Sequence, residues 1–431
     1  MKLPKFFSLF LLILLLFGSV SARSGFVEVR DGQFFIGDQP YNFVGANYWY
    51  GGLIGLEKDP KRGIRRLRKE LDFLKAKGVS NLRILGGAEG EGLINDVFRV
   101  GPSLQPAQGK FNVDVLRGLD ILLDEMSKRD MKAVVFFSNN WEWSGGFQQY
   151  LIWNGVESAE FLKKKPTWDE YRDIVSRFYQ CYPCKNAYKN QVQLIMSRKN
   201  SVNGRAYIDD PTIMTWELAN EPRPMRPAAN DPYKRWISET AAFIKSIDKK
   251  HLVTIGHEGS IGSESIAIFK EIHDDADVDY LTIHIWPRNW GWYERPKIAD
   301  GFPEVLEKTE KYIGEHIAVA KALKKPLVIE EFGFARDGES FDVTAPTHFR
   351  DKYFETILSY LPGGDSDQGA VAGINFWAFG GRARPVKDQL FWKTGDEYMG
   401  DPPMEEQGLY SVFDRDKTTW KIIKRFSESL K

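Results

Sequence analysis

Eight short apolar runs recur along the chain, and a helical pattern separates each run from the next. The runs are NFVGAN (42–47), SNLRIL (80–85), KAVVFF (132–137), IMTWELA (213–219), LVTIG (252–256), YLTIHI (280–285), PLVIE (326–330) and AGINFW (372–377). Between the first two runs, for example, Ile64, Leu67, Leu71 and Leu74 recur at helical spacing. Eight strands that alternate with helices predict an α/β fold of the closed (β/α)8 TIM-barrel type.

An open doubly wound sheet is the alternative to a closed barrel, but the glycine-rich phosphate turn typical of that fold is absent. Ahead of the first run, FVEVRDGQFFIG (26–37) places an Asp-Gly turn between two apolar stretches. This pattern predicts a short N-terminal β-hairpin that caps one end of the domain.

The first 22 residues have the pattern of a secretory signal peptide. Lys2 and Lys5 precede an apolar stretch from Phe6 to Phe17, and small residues precede Ala22. The apolar stretch is short for a bilayer span, so cleavage after Ala22 is favoured over an uncleaved anchor. We therefore expect a secreted protein, extracellular or periplasmic, without membrane attachment after cleavage.

Residues 23–431 are predicted to form one catalytic domain, because no Pro/Ser/Gly-rich linker or repeat marks a second one. Removing the first 22 residues leaves a net charge of −2, which does not indicate nucleic acid as a partner. The 14% aromatic content is compatible with a carbohydrate groove, although most rings are expected in the core. We expect a monomer.

The two cysteines, Cys181 and Cys184, lie in the sequence CYPC within a helical region between two predicted strands. A thioredoxin-like redox pair would follow a strand and open a helix in a smaller fold. A local structural disulfide and a pair of free thiols both remain open in an exported protein.

Catalytic groups of a (β/α)8 barrel lie where the strands end at the carboxyl face, so the run ends define a candidate site. The polar and aromatic residues there are Asn47, Tyr48, Trp49, Arg83, Asn139, Asn140, Trp141, Glu142, Trp143, Asn220, Glu221, His257, Glu258, His284, Trp286, Glu330, Glu331 and Trp377. Two carboxylates, one at the end of the fourth predicted strand and one at the end of the seventh, are expected to face each other across the barrel mouth. Such a pair is the equipment of a glycosidase.

The neighbours of these two carboxylates have structural interpretations. The fourth run is predicted to continue to Glu221, where Pro222 stops it, and Glu217 then lies deeper, paired with a residue such as Arg83. Side chains alternate along a strand, so Glu330 is expected to face the helical layer or a neighbouring strand end when Glu331 faces the barrel mouth. The HEGS sequence at 257–260 lacks the second histidine of a zinc motif, so no metal or cofactor is expected.

Several of these motifs together resemble glycoside hydrolase family 5. They are TWELANEP, VIEEFG, NLRIL, HIWP and NFW, and the resemblance runs from Phe43 to Trp377. The combination of NEP and EFG at this separation is far more specific than either tripeptide alone. Within the family, SNNWEWSGG, WELANEPR and HIWPRNWGW are most like the β-mannanases.

The resemblance implies that Glu221 is the acid/base and Glu331 the nucleophile. The substrate-binding residues that we predict are Arg83, Asn220, Arg223, His284, Trp286 and Trp377, together with Trp49 and Trp141 at strand ends. Trp286 departs from the family pattern, because many members have a tyrosine there whose hydroxyl hydrogen-bonds the nucleophile.

These observations predict a retaining endo-β-1,4-mannanase that acts by double displacement on mannan, glucomannan or galactomannan. The alternatives are an exo-acting β-mannosidase or a β-1,4-glucanase of the same family. A more distant one is a non-hydrolytic carbohydrate-binding barrel, which would usually lack one of the two carboxylates. Endo or exo action depends on whether the insert 145–165 or the insert 380–407 closes one end of the groove.

Overall fold

The computed structural model describes residues 25–56, 59–164, 166–294, 298–363 and 371–430, and its central element is a parallel eight-stranded sheet. The strands, numbered β1 to β8, are Phe43–Asn47, Asn81–Leu85, Lys132–Phe136, Ile213–Glu217, Leu252–Thr254, Leu281–Ile285, Leu327–Phe332 and Val371–Phe376. Each predicted run contains or overlaps one strand, so the strand prediction is confirmed. The predicted signal peptide lies outside the described residues.

The sheet curls into a nearly closed barrel. Its hydrogen-bonded order is β5-β4-β3-β2-β1-β8-β7-β6. The two end strands, β5 and β6, are connected by isolated backbone hydrogen bonds near their ends. The amide of Asp279 donates to the carbonyl of Val253, and the amide of His284 donates to the backbone carbonyl of Glu258. The prediction of a (β/α)8 barrel is confirmed.

Eight helices, one after each strand, surround the barrel. Numbered α1 to α8, they are Pro60–Ala76, Val113–Ser127, Tyr182–Met196, Asn230–Ile247, Ile266–His273, Ile298–Leu323, His348–Leu358 and Lys417–Ser429. Each packs an apolar stripe inward, as α1 does with the buried Leu67, Leu71 and Leu74. No helix within the described ranges is long and apolar enough to cross a membrane.

Additional elements extend the loops at the carboxyl ends of the strands. They are the helices Gly51–Ile54, Gly146–Trp153 and Trp168–Val175, the paired strands Leu93–Ile94 and Val97–Phe98, and the paired strands Phe379–Gly381 and Val412–Phe413. Cys181 and Cys184 form a disulfide at the start of α3, so the structural disulfide is the arrangement found.

A small antiparallel sheet closes the opposite, amino-terminal end of the barrel. Its strands are Val27–Arg30, Gln33–Ile36 and Gln39–Pro40, so the predicted hairpin is confirmed and carries one further short strand. Its buried side chains form one cluster with residues from the starts of the barrel strands: Val27, Phe34, Ile36, Tyr41, Phe43, Met214, Leu252, Tyr280, Val328 and Ala372. The carboxyl end is therefore the end left for a functional site.

A β-bulge between β6 and β7 changes which way the paired glutamates point. Ile283 pairs with Ile329, whereas His284 pairs with Glu331, so Glu330 is an extra residue in the ladder. Its fully buried carboxylate lies 3.7 Å from Arg83 Nε and 3.6 Å from His284 Nε2, inside the barrel. The expectation that Glu330 faces the helical layer is wrong, because the bulge breaks the strict alternation on which it rested.

The end of β4 also differs from the prediction. The strand ends at Glu217, four residues before the predicted end. The backbone beyond it still bonds to both neighbours, since the amide of Asn220 donates to Ser138 and that of Glu221 donates to Gly256. Glu221 then adopts a left-handed conformation, φ 50°, in which the chain turns out of the barrel.

Candidate active site

A cavity of about 860 Å³ opens at the carboxyl ends of the barrel strands. Seven of the ten predicted catalytic and substrate-binding residues line it: Trp141, Asn220, Glu221, Arg223, Trp286, Glu331 and Trp377. Its size is that of a pocket for a small ligand. Arg83 and His284 lie fully buried, in contact with the two glutamates.

Glu221 and Glu331 approach each other closely. One oxygen of each carboxylate lies within 4.8 Å of the other. Glycosidases that retain configuration have carboxyl groups about 5–5.5 Å apart, whereas inverting ones leave about 6.5–9.5 Å for a water molecule. The observed spacing therefore suits direct attack by one carboxylate.

Arg83 connects the lower part of the barrel to the site. Its Nε and Nη2 donate to the two oxygens of Glu217 at 2.8 and 2.6 Å, and Nη2 also donates to Asn220 Oδ1 at 2.7 Å. The remaining Nη1 donates to Glu331 Oε1. Since a two-point pair fixes the plane of the guanidinium, Glu217 orients Arg83 toward Glu331. The predicted pairing of Glu217 with Arg83 is confirmed.

Trp286 supplies the donor that the family pattern would take from a tyrosine. Its indole Nε1 donates to Glu331 Oε2 at 3.2 Å. Both oxygens of Glu331 therefore accept a hydrogen bond, one from Arg83 and one from Trp286. An indole N–H at this position makes a hydroxyl unnecessary.

Glu221 has a different set of contacts. Trp141 Nε1 donates to Glu221 Oε2, while His284 Nδ1 lies 2.7 Å from Oε1. Burial lowers the pKa of His284 well below its usual value, with the positive charge of Arg83 acting in the same direction, so the ring is neutral. The unprotonated nitrogen of a neutral ring can accept a hydrogen bond from a protonated Glu221.

The two carboxyl groups titrate as a pair. Burial raises the pKa of both Glu221 and Glu331, more strongly at Glu331, while the positive charges of Arg223 and Arg83 oppose the rise at the respective carboxyl. Two such close groups share one proton. We assign the negative charge to Glu331, because a guanidinium and an indole donate to its two oxygens, and the proton to Glu221, next to neutral His284.

Arg223 lies on the side of the cavity where Glu221 is found. It forms a two-point ion pair with Glu258, in which Nη2 donates to Oε1 at 2.6 Å. The guanidinium carbon lies 4.9 Å from the ring centroid of Trp141, whose indole holds Glu221. Glu258 is a strand-end residue to which the sequence did not give a role.

Trp49 is the one predicted substrate-binding residue that neither lines the cavity nor hydrogen-bonds to Glu221 or Glu331 within the described ranges. The side chain is 1% exposed, and its Nε1 donates to the carbonyl of Gly400 at 2.7 Å. The prediction is wrong because the insert 380–407 covers the end of β1, so that Trp49 packs beneath this insert.

The inserts add lining residues that the sequence analysis did not identify. Phe391, Met404 and Glu405 come from the insert after β8, and Pro166 and Trp168 follow the insert after β3. Burial raises the pKa of Glu405 to about 8, and the negative charges of Asp401 and Glu221 add to the effect. Nothing local in the sequence shows that these loops fold back over the barrel mouth.

One group of potential metal ligands exists within the described ranges, formed by Glu221, His284 and Glu331. Arg83 already neutralises Glu331, and Arg223 adds positive charge near Glu221. These contacts favour proton transfer over cation binding at the three residues. The arrangement can therefore provide one acid, one nucleophile and a fixed set of donors.

Comparison with known proteins gives a consistent result. The family model described as GH family 5 β-mannosidase-like matches residues 24–431. Mannan endo-1,4-β-mannosidase 1 of Arabidopsis thaliana is 30% identical over 375 residues, which cover 83% of this chain and 82% of the relative.

Solved structures show the same relationship. The crystal structure of a glycoside hydrolase family 5 mannosidase mutant from Rhizomucor miehei, in complex with mannosyl-fructose, is 34% identical. The match has a TM-score of 0.83 and covers 95% of this chain and 98% of that chain. An endo-1,4-β-mannanase of the same organism, 21% identical with a TM-score of 0.66, shares the fold over 94% of this chain and 99% of that chain.

Proposed function

The chain belongs to glycoside hydrolase family 5, in its β-mannosidase-like group, and we propose that it is a retaining endo-β-1,4-mannanase. Its substrates are mannan-type polysaccharides and their oligosaccharides, and no cofactor takes part. The observation that carries the mechanism is the approach of Glu221 and Glu331 to within 4.8 Å, with donors on both oxygens of Glu331.

In the first step, ionised Glu331 attacks the anomeric carbon while protonated Glu221 donates its proton to the glycosidic oxygen. The bond to the leaving sugar breaks, and a covalent mannosyl–Glu331 ester forms. His284 Nδ1 and Trp141 Nε1 hold the Glu221 carboxyl in place. Arg83 and Trp286 stabilise Glu331 before attack and after its release.

In the second step, ionised Glu221 takes a proton from a water molecule, which attacks the same anomeric carbon. The ester bond to Glu331 breaks, and the product leaves with its β-configuration retained. Proton NMR of the first-formed product tests this mechanism, since the β-anomer is expected. Initial α-anomer would contradict it.

The preference for mannose units is supported by the relatives, whose names specify mannan or mannoside substrates. The 2-hydroxyl of mannose is axial and that of glucose equatorial. A site with polar groups placed for one leaves them unpaired with the other. Initial rates on unsubstituted mannan, glucomannan and carboxymethylcellulose test the preference, and comparable rates on mannan and cellulose derivative would contradict it.

Exo action is the alternative that the names of the curated relatives do not favour, and it would require the insert 380–407, which supplies Phe391, Met404 and Glu405 to the cavity wall, to close one end of the groove. A wall across the groove would admit only a chain end. Mannohexaose carrying a reduced end separates the two activities by its first products. Endo action gives products of two to four units at once, whereas exo action first gives mannose and the oligosaccharide that is one unit shorter and carries the reduced end.

We further propose secretion and action as a monomer. Secretion rests on the signal-peptide pattern of residues 1–22, and N-terminal sequencing of exported protein should begin at Arg23. The monomer is supported because a single chain supplies both carboxylates and the lining of the cavity. Light scattering after size exclusion should give the mass of one chain.

A further inference from the structure

Trp168 is a large apolar side chain that remains half exposed inside a cavity wall. It is the first residue of the Trp168–Val175 helix, and 50% of its surface is accessible. It lines the same cavity as Glu221 and Glu331. Because exposed apolar surface is unfavourable in water, an exposed tryptophan in a binding cavity is a candidate ligand contact.

The ring of Trp168 belongs to a continuous aromatic surface. Its centroid lies 6.1 Å from those of Trp141 and Tyr171, with interplanar angles of 28° and 14°. Trp141 and Tyr171 are 5.8 Å apart at 14°. Three near-parallel rings with almost equal separations form a stepped surface rather than a face-to-face stack, and Trp168 is its most exposed member.

This surface lies on the Glu221 side of the cavity. Trp141 donates to Glu221, and the guanidinium carbon of Arg223 lies 5.9 Å from the Trp168 ring centroid. The other side is marked by Trp286, which donates to Glu331. Because Glu221 protonates the departing oxygen, the sugars that leave first occupy the side where Trp168 lies.

The helix that carries Trp168 is fixed in position. Thr167 caps it through a capping box, in which the amide of Glu170 donates to Thr167 Oγ1 and the amide of Thr167 donates to Glu170 Oε2 at 2.8 Å. Arg172 Nε donates to the carbonyl of Met225 at 2.8 Å, just beyond the end of β4. The backbone that carries the ring is thus fixed in position without a ligand.

A second anchor joins the same helix to the segment that follows Glu221. Arg226 Nε donates to Asp173 Oδ1 at 2.6 Å, and Arg226 Nη2 donates to the carbonyl of Asp169 at 2.9 Å. The acid/base and the exposed ring are therefore held to the same segment. A platform that is ordered in advance loses little conformational entropy on binding.

We propose that Trp168 is a stacking platform for a mannosyl unit beyond the first leaving-group sugar, and that it makes the enzyme favour longer chains. The inference rests on the proposed mannan hydrolysis. The indole face would contact the apolar face of the sugar, and the Arg223–Glu258 pair beside it supplies charged groups to the hydroxyls. Trp168 is a specificity-determining residue, since it contacts none of the reacting atoms.

The test compares kcat/KM for mannobiose with that for mannotetraose and mannohexaose in wild type, Trp168→Ala and Trp168→Phe. Mannobiose ends at the first leaving-group sugar, so Trp168→Ala should leave its hydrolysis unchanged. For the longer substrates we expect a loss of roughly three- to tenfold, the range of an aromatic contact. Trp168→Phe retains a ring and should recover most of this loss.

Tyr182→Ala is the matched control. Tyr182 is also an exposed aromatic residue at the first position of a helix, 70% accessible, but it does not line the cavity. The control should leave all substrates unaffected, and thermal unfolding verifies that each variant is folded.

The outcomes separate the two proposals. If the wild type is active and Trp168→Ala keeps its preference for longer substrates, the proposed role of Trp168 is wrong and the proposed function stands. The same conclusion follows if Trp168→Ala lowers kcat/KM equally for mannobiose and mannohexaose. If the wild type cleaves no β-mannoside of the series, the proposed function is wrong, and so is the proposal that Trp168 binds a mannosyl unit.

Discussion

At the residue scale, the site depends on which of two adjacent glutamates is the nucleophile. Glu330 and Glu331 both point into the barrel, so direction alone does not distinguish them. Their surroundings do. Glu331 lines the cavity and accepts hydrogen bonds on both oxygens, whereas the carboxylate of Glu330 has no hydrogen-bond partner within the described ranges.

The first prediction concerns Glu331→Ala, which should lose at least about 10³-fold in kcat because no covalent intermediate can form. Azide fits the space left by the carboxylate and can attack the anomeric carbon directly. The expected product is an α-mannosyl azide, formed with restored activity and detected by NMR. Glu330→Ala is the comparison: it should not be rescued, and rescue of that variant instead would reverse the assignment.

The second prediction concerns Trp286→Phe, which keeps an aromatic ring but removes the N–H donor to Glu331 Oε2. A hydrogen bond to a charged group stabilises that ionised form, so its loss should raise the pKa of Glu331 by about one unit. The acid limb of the pH profile of kcat/KM should therefore move to higher pH. Trp377→Phe is the control, because Trp377 Nε1 has no hydrogen-bond partner within the described ranges. The acid limb of the pH profile of this variant should not move.

At the scale of elements, the β6–β7 bulge places inside the barrel a carboxyl that lies 3.7 Å from Arg83 Nε but has no hydrogen-bond partner within the described ranges. Burial raises the pKa of Glu330 well above its usual 4.5, and the negative charge of Glu217 adds to this. The group is neutral in the folded state and ionised in the unfolded state above pH 4.5. Its contribution to stability is thus fully present below pH 4.5 and is lost as the pH rises toward the folded-state pKa.

The third prediction follows from this sign. Glu330→Gln keeps the shape of the neutral acid without an ionisable group, so its melting temperature should rise relative to wild type as the pH is raised from 4 to 8. Thermal unfolding of both proteins at each pH measures the difference. A difference that stays constant across this range would show that Glu330 does not titrate between the folded and unfolded states.

The bulge also shows how far the sequence predicts the elements. Hydrophobic periodicity and helical spacing identify all eight barrel strands, because burial against a helical layer demands apolar residues on each one. An extra residue in one ladder leaves the same apolar pattern, so Glu330 was assigned to the wrong face. In the same way, the burial of Trp49 beneath the insert 380–407 depends on its contact with Gly400, which is far along the chain and leaves no local pattern around Trp49.

At the scale of the whole molecule, buried neutral histidines link acid stability to the packing of helices on the barrel. Burial lowers the pKa of His273 to about 3 and that of His316 to about 4, and it lowers that of His257 well below its usual value. All three rings pack around Phe269 of α5. Protonating any of them inside that interface is therefore less favourable than protonating it in the unfolded chain.

The fourth prediction is that these three histidines lower the stability of the folded state as the pH falls below about 6.5, where the unfolded chain begins to protonate them and the folded chain does not. Each histidine contributes up to about 1.4 kcal/mol per pH unit at 25 °C. His273→Gln removes one of them. As the pH falls from 6.5 to 4, the free energy of unfolding of the variant should therefore increase relative to that of wild type. Urea unfolding at several pH values measures this difference, in which the opposite effect of Glu330 cancels because both proteins carry it.

His348→Gln, at the start of α7, is the control, since no buried ring is removed. A His273→Gln difference that does not change with pH would show that this histidine is not what destabilises the fold in acid.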